Sequence, residues 1–223
     1  MGGQACIFYG AAEFSRDLDL LVLADPDNLH RLRVALEQLQ AVSIAVPPFD
    51  AEYLARGHAI HFRCARQDVD RLRIDIMSNL RGVDNFERLW QRRSTLLSED
   101  LEVDLMGLED LVLAKKTQRN KDWPMIQRLV ERHYTENHLS ASDQMVMFWL
   151  RELRTPELLR EVITKYPGLA TAASATRPAL NEPLEQSLRT EEDLERMSDR
   201  EYWKPLRAEL EQMRFKQKSP APE

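Results

Sequence analysis

The most constraining feature of the sequence is a short run, DLDLLVLA, from residue 17 to residue 24. Its second half is apolar, which predicts a β-strand covered on both faces of its sheet. Asp17 and Asp19 open the run and lie two residues apart, so on a strand their side chains point to the same face. The run therefore predicts a sheet that carries two carboxylates at the start of one strand.

Strand and helix patterns alternate around this run, whereas after Gly107 the sequence pattern is helical or irregular. Further strands, which would complete a sheet of about five, are expected at 59–65, 71–77, 95–97 and 101–105. Helices are expected at 3–12, 29–39 and 83–90, then around 108–112 and 125–130. These patterns predict an α+β domain over 1–106, a helical region over 107–216 with a loose connector at 170–179, and a disordered tail at 217–223.

Composition limits the classes of function. The formal net charge of -6 argues against a general nucleic-acid coat, although it leaves room for a local basic patch. No apolar run approaches the length of about 18 residues that a membrane-spanning helix needs, and no signal peptide is indicated. Cys6 and Cys64 lack metal-type spacing and suggest a reducing compartment. The sequence thus predicts a soluble, cytoplasmic protein.

The acid pair has two interpretations. Two carboxylates on one strand face can hold a hard cation, and with a third they can hold two cations about 3.5–4 Å apart. Alternatively, both acids are solvated groups at a strand end. Asp75, between two isoleucines, is the preferred third acid, and Arg73 is expected not to pair with it. Asp104 is the rival, although it lies just before a helix and could serve that helix's first turn.

Polar residues near the acids suggest phosphate contacts. Gly2 and Gly3 stand at a helix start, where backbone N–H groups can approach a triphosphate. Ser15 could bind a phosphate or cap the local turn. Arg16 could contact a phosphate or Glu13. These alternatives remain open at the level of the sequence.

A basic stripe follows the predicted sheet. Leu108, Leu111, Lys115 and Arg119 fall on one face of a predicted helix, with Lys116 beside it. The cationic half of such a stripe could stabilise triphosphate oxygens. The alternative is a solvated basic face that is paired with acids, for which the candidates are Asp122 and Glu109.

Three segments, in their order and spacing, resemble the nucleotidyltransferase superfamily, whose fold is shared by DNA polymerase beta and CCA-adding enzymes. They are Met1–Gly3, Asp17–Leu20 and Ile74–Ile76. Residues 110–123, DLVLAKKTQRNKDW, also resemble the helix after the sheet in small bacterial members, which include the nucleotidyltransferase toxins of type IV toxin–antitoxin pairs. The resemblance covers about residues 1–135.

The resemblance implies a nucleotidyltransferase-like mixed β-sheet flanked by helices and followed by a C-terminal helical region. It implies that Asp17 and Asp19 ligate Mg²⁺ and position a nucleoside triphosphate, while Asp75 ligates a second Mg²⁺ and helps to deprotonate the acceptor. The acceptor would be a tRNA end, a protein or a small molecule. The implied nucleotide-binding residues are Gly2, Gly3, Ser15, Arg16, Lys115, Lys116 and Arg119.

A second function remains open beside this enzyme, namely an inactive protein of the same fold that acts through a cognate partner or as a homo-oligomer. In the resembled family the glycine pair follows a core strand, whereas here only Met1 precedes it. The sequence therefore predicts either a start downstream of the true one or a protein that lacks this strand. The second case would expose the edge of a neighbouring strand.

Overall fold

The structure, a computed structural model, describes residues 1–98, 101–181 and 183–218. The chain divides into two compact units. The first unit comprises Met1–Phe8, Ala12–Ala114 and the chain from Glu201 onward, and the second comprises Tyr9–Ala11 and Lys115–Arg200. Within the described residues, no helix is both long enough and apolar enough to cross a membrane.

The first unit is α+β. Its strands are β1 (Asp17–Leu21), β2 (Val42–Ser43), β3 (Ile60–Arg63), β4 (Arg73–Met77), β5 (Ser94–Ser98) and β6 (Leu101–Leu105). Its helices are α1 (Gly2–Phe8), α2 (Pro26–Gln38), α3 (Ala51–Ala55), α4 (Phe86–Gln91) and α5 (Leu108–Ala114), together with a 3₁₀ turn at Gln67–Val69.

Four of these strands form a mixed sheet in the order β1-β4-β3-β2. β1 runs parallel to β4, whereas β3 is antiparallel to both of its neighbours. The prediction of an α+β protein with a mixed sheet is therefore confirmed. The prediction of a single sheet of about five strands is wrong, because β5 and β6 pair only with each other among the described residues.

The two faces of the mixed sheet differ because side chains alternate along each strand. Ile60 and Phe62 on β3 and Ile74 and Ile76 on β4 are buried. They join one apolar core with leucines of α2 and α3: Leu29, Leu36 and Leu54. The intervening positions carry the acids and the bases, so the opposite face of the sheet is the charged one.

β1 lies at one edge of this sheet, as far as the described residues show. Local groups bind two of its backbone carbonyls. The N-terminal ammonium of Met1 donates to the carbonyl oxygen of Asp19 at 2.9 Å. The hydroxyl of Ser15 donates to the carbonyl oxygen of Asp17 at 3.1 Å. Part of this strand edge is therefore covered by the segment that precedes it.

The second unit is helical. Its elements are α6 (Asp122–Asn137), α7 (Asp143–Glu152), α8 (Pro156–Lys165), α9 (Pro167–Ser174), a 3₁₀ turn at Pro178–Asn181 and the first part of α10 (Leu184–Lys218). Trp149 and Leu159 are completely buried in its core. α10 contributes residues to both units.

A loose connector is expected at residues 170–179, and this prediction is wrong for residues 170–174, which belong to α9. Ala170 and Ala173 are buried in α9, which packs against α7 and α8. Small side chains allow such a close helical approach while leaving little apolar periodicity in the sequence. Of the predicted tail, Gln217 and Lys218 belong to α10, and 219–223 lie outside the described residues.

Candidate functional site

The three predicted acids lie on one face of the mixed sheet. In the parallel pairing of β1 with β4, Asp19 is in register with Asp75, and Asp17 is in register with Arg73. Neighbouring strands are about 4.8 Å apart, and residues in register point to the same face. The fold therefore places Asp19 and Asp75 side by side, with Asp17 two residues along the same strand as Asp19.

Asp75 is held by two basic side chains. Its Oδ1 lies 2.8 Å from Nδ1 of His61 and accepts a hydrogen bond of 2.8 Å from Nε of Arg73. The expectation that Arg73 would not pair with Asp75 is therefore wrong. Residues i and i+2 of a strand share a face, and the long arginine side chain reaches back along β4 to the carboxylate.

The charges on this face are coupled. Burial tends to raise the pKa of Asp75, but the hydrogen bonds from His61 and Arg73 outweigh it, and the pKa is lowered from its ordinary value. The hydrogen bond to Asp75 raises the pKa of Arg73, and the negative charges of Asp17 and Asp19 add to this effect. Arg73 is thus a cation that interacts with all three acids.

The glycine pair packs against the acid pair. The N–H of Gly3 donates to Oδ2 of Asp19 at 3.3 Å. A Cβ atom on Gly2 would overlap the Asp19 carboxylate, and one on Gly3 would overlap the Ser15 hydroxyl. The Ser15 hydroxyl closes the turn before β1, which agrees with the capping alternative. The structure therefore brings the predicted glycine, serine and aspartate residues together.

Arg16 and Asp104 occupy other surroundings. Arg16 is exposed, and its guanidinium lies 6.0 Å from the centre of the Phe14 ring. Asp104 is on β6, where it accepts hydrogen bonds from Nε of Arg93 at 2.8 Å and from Oγ1 of Thr95 at 2.7 Å. Asp75, rather than Asp104, is the acid in register with Asp19.

The predicted basic stripe is wrong, because α5 ends at Ala114 and so Lys115 and Arg119 do not continue its helical face. Side chains stabilise a non-helical loop at this point. Oγ1 of Thr117 donates to Asp122 at 2.5 Å, and the indole of Trp123 donates to the carbonyl oxygen of Thr117 at 2.8 Å. Such bonds compete with helical backbone bonds and favour termination.

The basic residues are paired within the second unit. Nζ of Lys115 lies 3.7 Å from Oδ1 of Asp122, and Nε of Arg119 lies 2.7 Å from Oδ2 of the same carboxylate. Nζ of Lys116 lies 2.8 Å from Oε2 of Glu152. The alternative of a basic face paired with acids is therefore right for Asp122, but the second partner is Glu152 and not Glu109, and Lys115 and Lys116 are buried and not solvated.

The donor chemistry of the acid face suits a hard divalent cation, because such ions prefer carboxylate oxygens. The present arrangement does not form a complete site. Within the described ranges, no three or more His, Cys, Asp or Glu side chains are grouped so that they could hold a metal ion. Asp75 is turned to His61 and Arg73, so a metal bound by all three acids would require these contacts to be released.

Two cavities lie elsewhere. A cavity of about 100 Å³ in the first unit borders β1 and is lined by Leu20, Leu21, Trp90 and Asp104, among others. A larger cavity of about 380 Å³ in the second unit is lined partly by Trp123, Arg154 and Arg196. The guanidinium carbons of these two arginines lie 4.9 and 5.4 Å from the centre of the Trp123 ring.

Sequence reasoning missed the contributions of His61 and Arg73 to the acid face. A signal for both was present, because each occupies a polar position that alternates with buried apolar residues. Applying the strand period to β3 as well as to β4 would have placed His61 on the same face as Asp75, and the antiparallel register pairs the two residues.

Compared with known proteins, the chain matches no protein-family model, no curated protein and no solved structure.

Proposed function

We propose that the first unit is a magnesium-dependent nucleotidyltransferase that transfers a nucleoside monophosphate from a nucleoside triphosphate to an acceptor hydroxyl and releases pyrophosphate. The observation that carries this proposal is the in-register pairing of Asp19 with Asp75. The packing of Gly2 and Gly3 against Asp19 and Ser15 supports it, because the glycine and aspartate segments of the resemblance are neighbours in the fold. The nucleotidyltransferase-like nature of the fold is part of the same proposal.

In this proposal, Asp17 and Asp19 would hold the cation that accompanies the triphosphate, and Asp75 would contribute to a second ion once its contacts with His61 and Arg73 are released. Bound Mg²⁺ supplies charge neutralisation for the phosphates and lowers the pKa of a coordinated hydroxyl. Asp75 is also the proposed acceptor of the proton that leaves the attacking hydroxyl, because it is the third carboxylate of the acid face. Backbone N–H groups of the glycine turn and the Ser15 hydroxyl are the proposed phosphate donors, for which the Gly3 N–H would have to leave the Asp19 carboxylate and the hydroxyl would have to leave the Asp17 carbonyl oxygen.

The proposed acceptor is a tRNA end, a protein side chain or a small molecule. Lys115, Lys116 and Arg119 are the triphosphate ligands that the resemblance implies, but each of them is paired with Asp122 or Glu152 in the second unit. The proposal therefore rests on the acids and the glycine turn and does not require these three bases. Arg16 is exposed and is retained as a phosphate contact.

The test is magnesium-dependent binding and turnover of each nucleoside triphosphate. The purified chain is incubated with Mg²⁺, labelled triphosphates and cell extract, and labelled products are separated. We expect Asp17→Asn combined with Asp19→Asn to abolish both binding and labelling. Asp27→Asn, an exposed acid of α2 in the same unit, is the matched control and should change neither. Unchanged triphosphate binding in the double variant would refute the proposal.

A second candidate is an inactive protein of this fold that acts by binding, either to a cognate partner in a toxin–antitoxin pair or to a second copy. The observation that favours it is the engagement of Asp75 by His61 and Arg73. Magnesium-dependent triphosphate binding without turnover in any extract would support a nucleotide-binding module. The absence of binding as well, together with a stable complex in pull-down or sedimentation experiments, would support a purely interacting protein.

A further inference from the structure

The cavity of about 380 Å³ in the second unit offers space for a small ligand. All of its lining residues belong to that unit and come from α6, α8, α10 and the chain just before α6 and α8. Small-molecule sites in proteins usually enclose about 300–1,000 Å³, so this cavity falls within their range. The chemistry of its walls then decides which ligand it can hold.

Three helices begin at this cavity. Its lining includes Trp123 and Pro124 from the first turn of α6, Pro156 from that of α8 and Glu185 from that of α10. The first turn of a helix carries a partial positive charge and favours anions. The three helix ends therefore add positive potential to the cavity.

Two acids line the cavity, and each is balanced by an arginine. Oε1 of Glu192 lies 2.6 Å from Nη2 of Arg196, and Glu185 is paired with Arg160. The negative charges of the wall are therefore neutralised before the two other arginines that line the cavity are counted.

Arg154 is a wall cation that shares its counter-charge. Its side chain is 7% exposed and lies 2.8 Å from Oε2 of Glu191, and the buried Arg177 lies 2.8 Å from the same oxygen. Nη2 of Arg154 donates to the carbonyl oxygen of Leu188 at 2.6 Å, whereas its Nε makes no hydrogen bond with the residues that the structure describes. Two guanidiniums thus share one carboxylate, and an added anion would balance the second charge.

Arg189 supplies another cation from α10, and it is exposed. Within residues 1–98, 101–181 and 183–218, its side chain forms no hydrogen bond and no ion pair. A guanidinium can donate two parallel hydrogen bonds to a phosphate group. Arg154 and Arg189 together match the charge of a phosphate monoester, which carries nearly two negative charges at neutral pH.

Two side-chain amides of the wall suit a ligand with hydroxyl groups. Nε2 of Gln127 donates to Glu131 at 2.8 Å and to Thr155 at 3.1 Å, and its carbonyl oxygen accepts nothing from the described part of the chain. Oδ1 of Asn120 accepts from Arg196 at 2.7 Å, which leaves the amide N–H groups as donors. The wall therefore offers both an acceptor and a donor beside its cations.

We propose that this cavity binds a small sugar phosphate, whose phosphate group accepts hydrogen bonds from Arg154 and Arg189 and whose hydroxyls contact Asn120 and Gln127. The ligand supplies the negative charge that Glu191 alone does not provide for its two arginines. The site lies within the second unit and does not rest on the transferase activity proposed for the first.

The test is isothermal titration calorimetry of the full chain with ribose 5-phosphate, inorganic phosphate and ribose at low ionic strength. We expect ribose 5-phosphate to bind most tightly and ribose not to bind, because the phosphate group supplies the charge-assisted hydrogen bonds. Arg189→Gln should weaken binding of ribose 5-phosphate at least about tenfold, since it removes a charged donor. Arg200→Gln is the matched control: it changes an exposed arginine about 16 Å further along α10, outside the cavity wall, and should bind as the wild type does.

A second variant and a spectroscopic measurement locate the ligand. Asn120→Asp is nearly isosteric and keeps the oxygen that Arg196 binds, but it adds a negative charge to the wall. It should weaken binding of ribose 5-phosphate and leave the circular dichroism spectrum unchanged. In nitrogen-15 NMR spectra of the wild type, ribose 5-phosphate should shift the Nε–H resonance of Arg154.

No binding of ribose 5-phosphate at about 5 mM would overturn the inference, because a weaker interaction is not a specific site. Equal affinities for ribose 5-phosphate and inorganic phosphate would overturn the sugar contacts. An equal loss of affinity in R189Q and R200Q would show general electrostatic attraction instead of a site. A loss confined to R189Q and N120D, with a shifted Arg154 resonance, would support the inference.

Discussion

Gly2 has a backbone φ of 67°, in the left-handed region that glycine adopts readily and other residues adopt at a cost. Its α-carbon also lies against the Asp19 carboxylate, where a side chain would have no room. Conformation and close approach therefore require glycine at the same position. Because a side chain at residue 2 would displace the Asp19 carboxylate, the position of Asp19 depends on glycine at this position.

Gly2→Ala should destabilise the first unit by about 1–2 kcal/mol, because alanine is strained at this φ and its methyl group displaces Asp19. It should also weaken magnesium-dependent triphosphate binding. Urea denaturation and a binding titration measure the two effects. Gly168→Ala is the control, since the space around Gly168 in α9 is open and helical alanine is favourable. Equal stability of the two variants would contradict this prediction.

The polar contacts of the candidate site were only partly predictable from the sequence. The spacing of Asp17 and Asp19 placed them on one face, since the strand period alone determines it. The same period applied to Arg73 and Asp75, but pairing also depends on how a flexible side chain folds back. His61 required knowledge of which strand neighbours β4, and alternation within one strand carries no such information.

The positions of the strands along the chain were predicted more reliably than the pairing between strands. Alternation of apolar and polar residues indicated β3 and β4, and β5 and β6 were expected as further short strands, all within a few residues of their bounds. The sheet to which a strand belongs depends on its pairing partners, so the separate two-stranded β5–β6 sheet was not predictable. The end of α5 at Ala114 depends on bonds from Thr117 and Trp123, which a helical stripe does not reveal.

Within the first unit, Glu209 in the C-terminal part of α10 contacts two basic residues that follow α3. Oε2 of Glu209 lies 2.7 Å from Nε2 of His58, which is 1% exposed, and its other oxygen binds Arg56. Tyr202 lies on the same stretch of α10, and its hydroxyl lies near Gly57. Buried polar groups need a hydrogen-bond partner, and Glu209 is a partner of the buried Nε2 of His58. This contact is therefore a specific anchor for the helix.

Glu209→Ala should therefore loosen this part of the helix, since it leaves the buried Nε2 of His58 without its carboxylate. Hydrogen exchange of residues 201–218 should become faster, and the melting temperature should fall. Glu211→Ala, which removes an exposed acid two residues further along α10, is the control and should change neither. Protection of 201–218 that is the same in both variants would show that the anchor does not hold the helix.

The whole molecule consists of two units with separate buried cores. The apolar core of the first unit surrounds β3 and β4. In the second unit, Arg154 and Arg177 both lie 2.8 Å from Oε2 of Glu191, and Arg177 also donates to two backbone carbonyls. Two cores in one chain favour unfolding in more than one step. A change in one core should therefore affect its own unit first.

Glu191 allows a direct test of whether the two units unfold separately. Burial tends to raise its pKa, but Arg177 and Arg154 outweigh burial, and the pKa is lowered from its ordinary value of 4.5. A carboxyl whose folded pKa is lowered contributes stability above its unfolded pKa and loses that contribution as the pH falls through the folded pKa. The contribution of Glu191 is therefore complete at neutral pH.

Glu191→Gln should cost about 2 kcal/mol at pH 7, because two guanidiniums lose a shared, largely buried counter-charge. The cost should shrink as the pH falls from 4.5 through the lowered folded pKa, because the unfolded carboxyl is protonated first and the folded carboxyl after it. Hydrogen exchange at pH 7 should accelerate in residues 146–162 of the second unit more than in 60–77 of the first. Glu185→Gln, which alters an exposed pair, should leave both segments unchanged. Equal acceleration of the two segments by E191Q would show that the chain unfolds as one cooperative body.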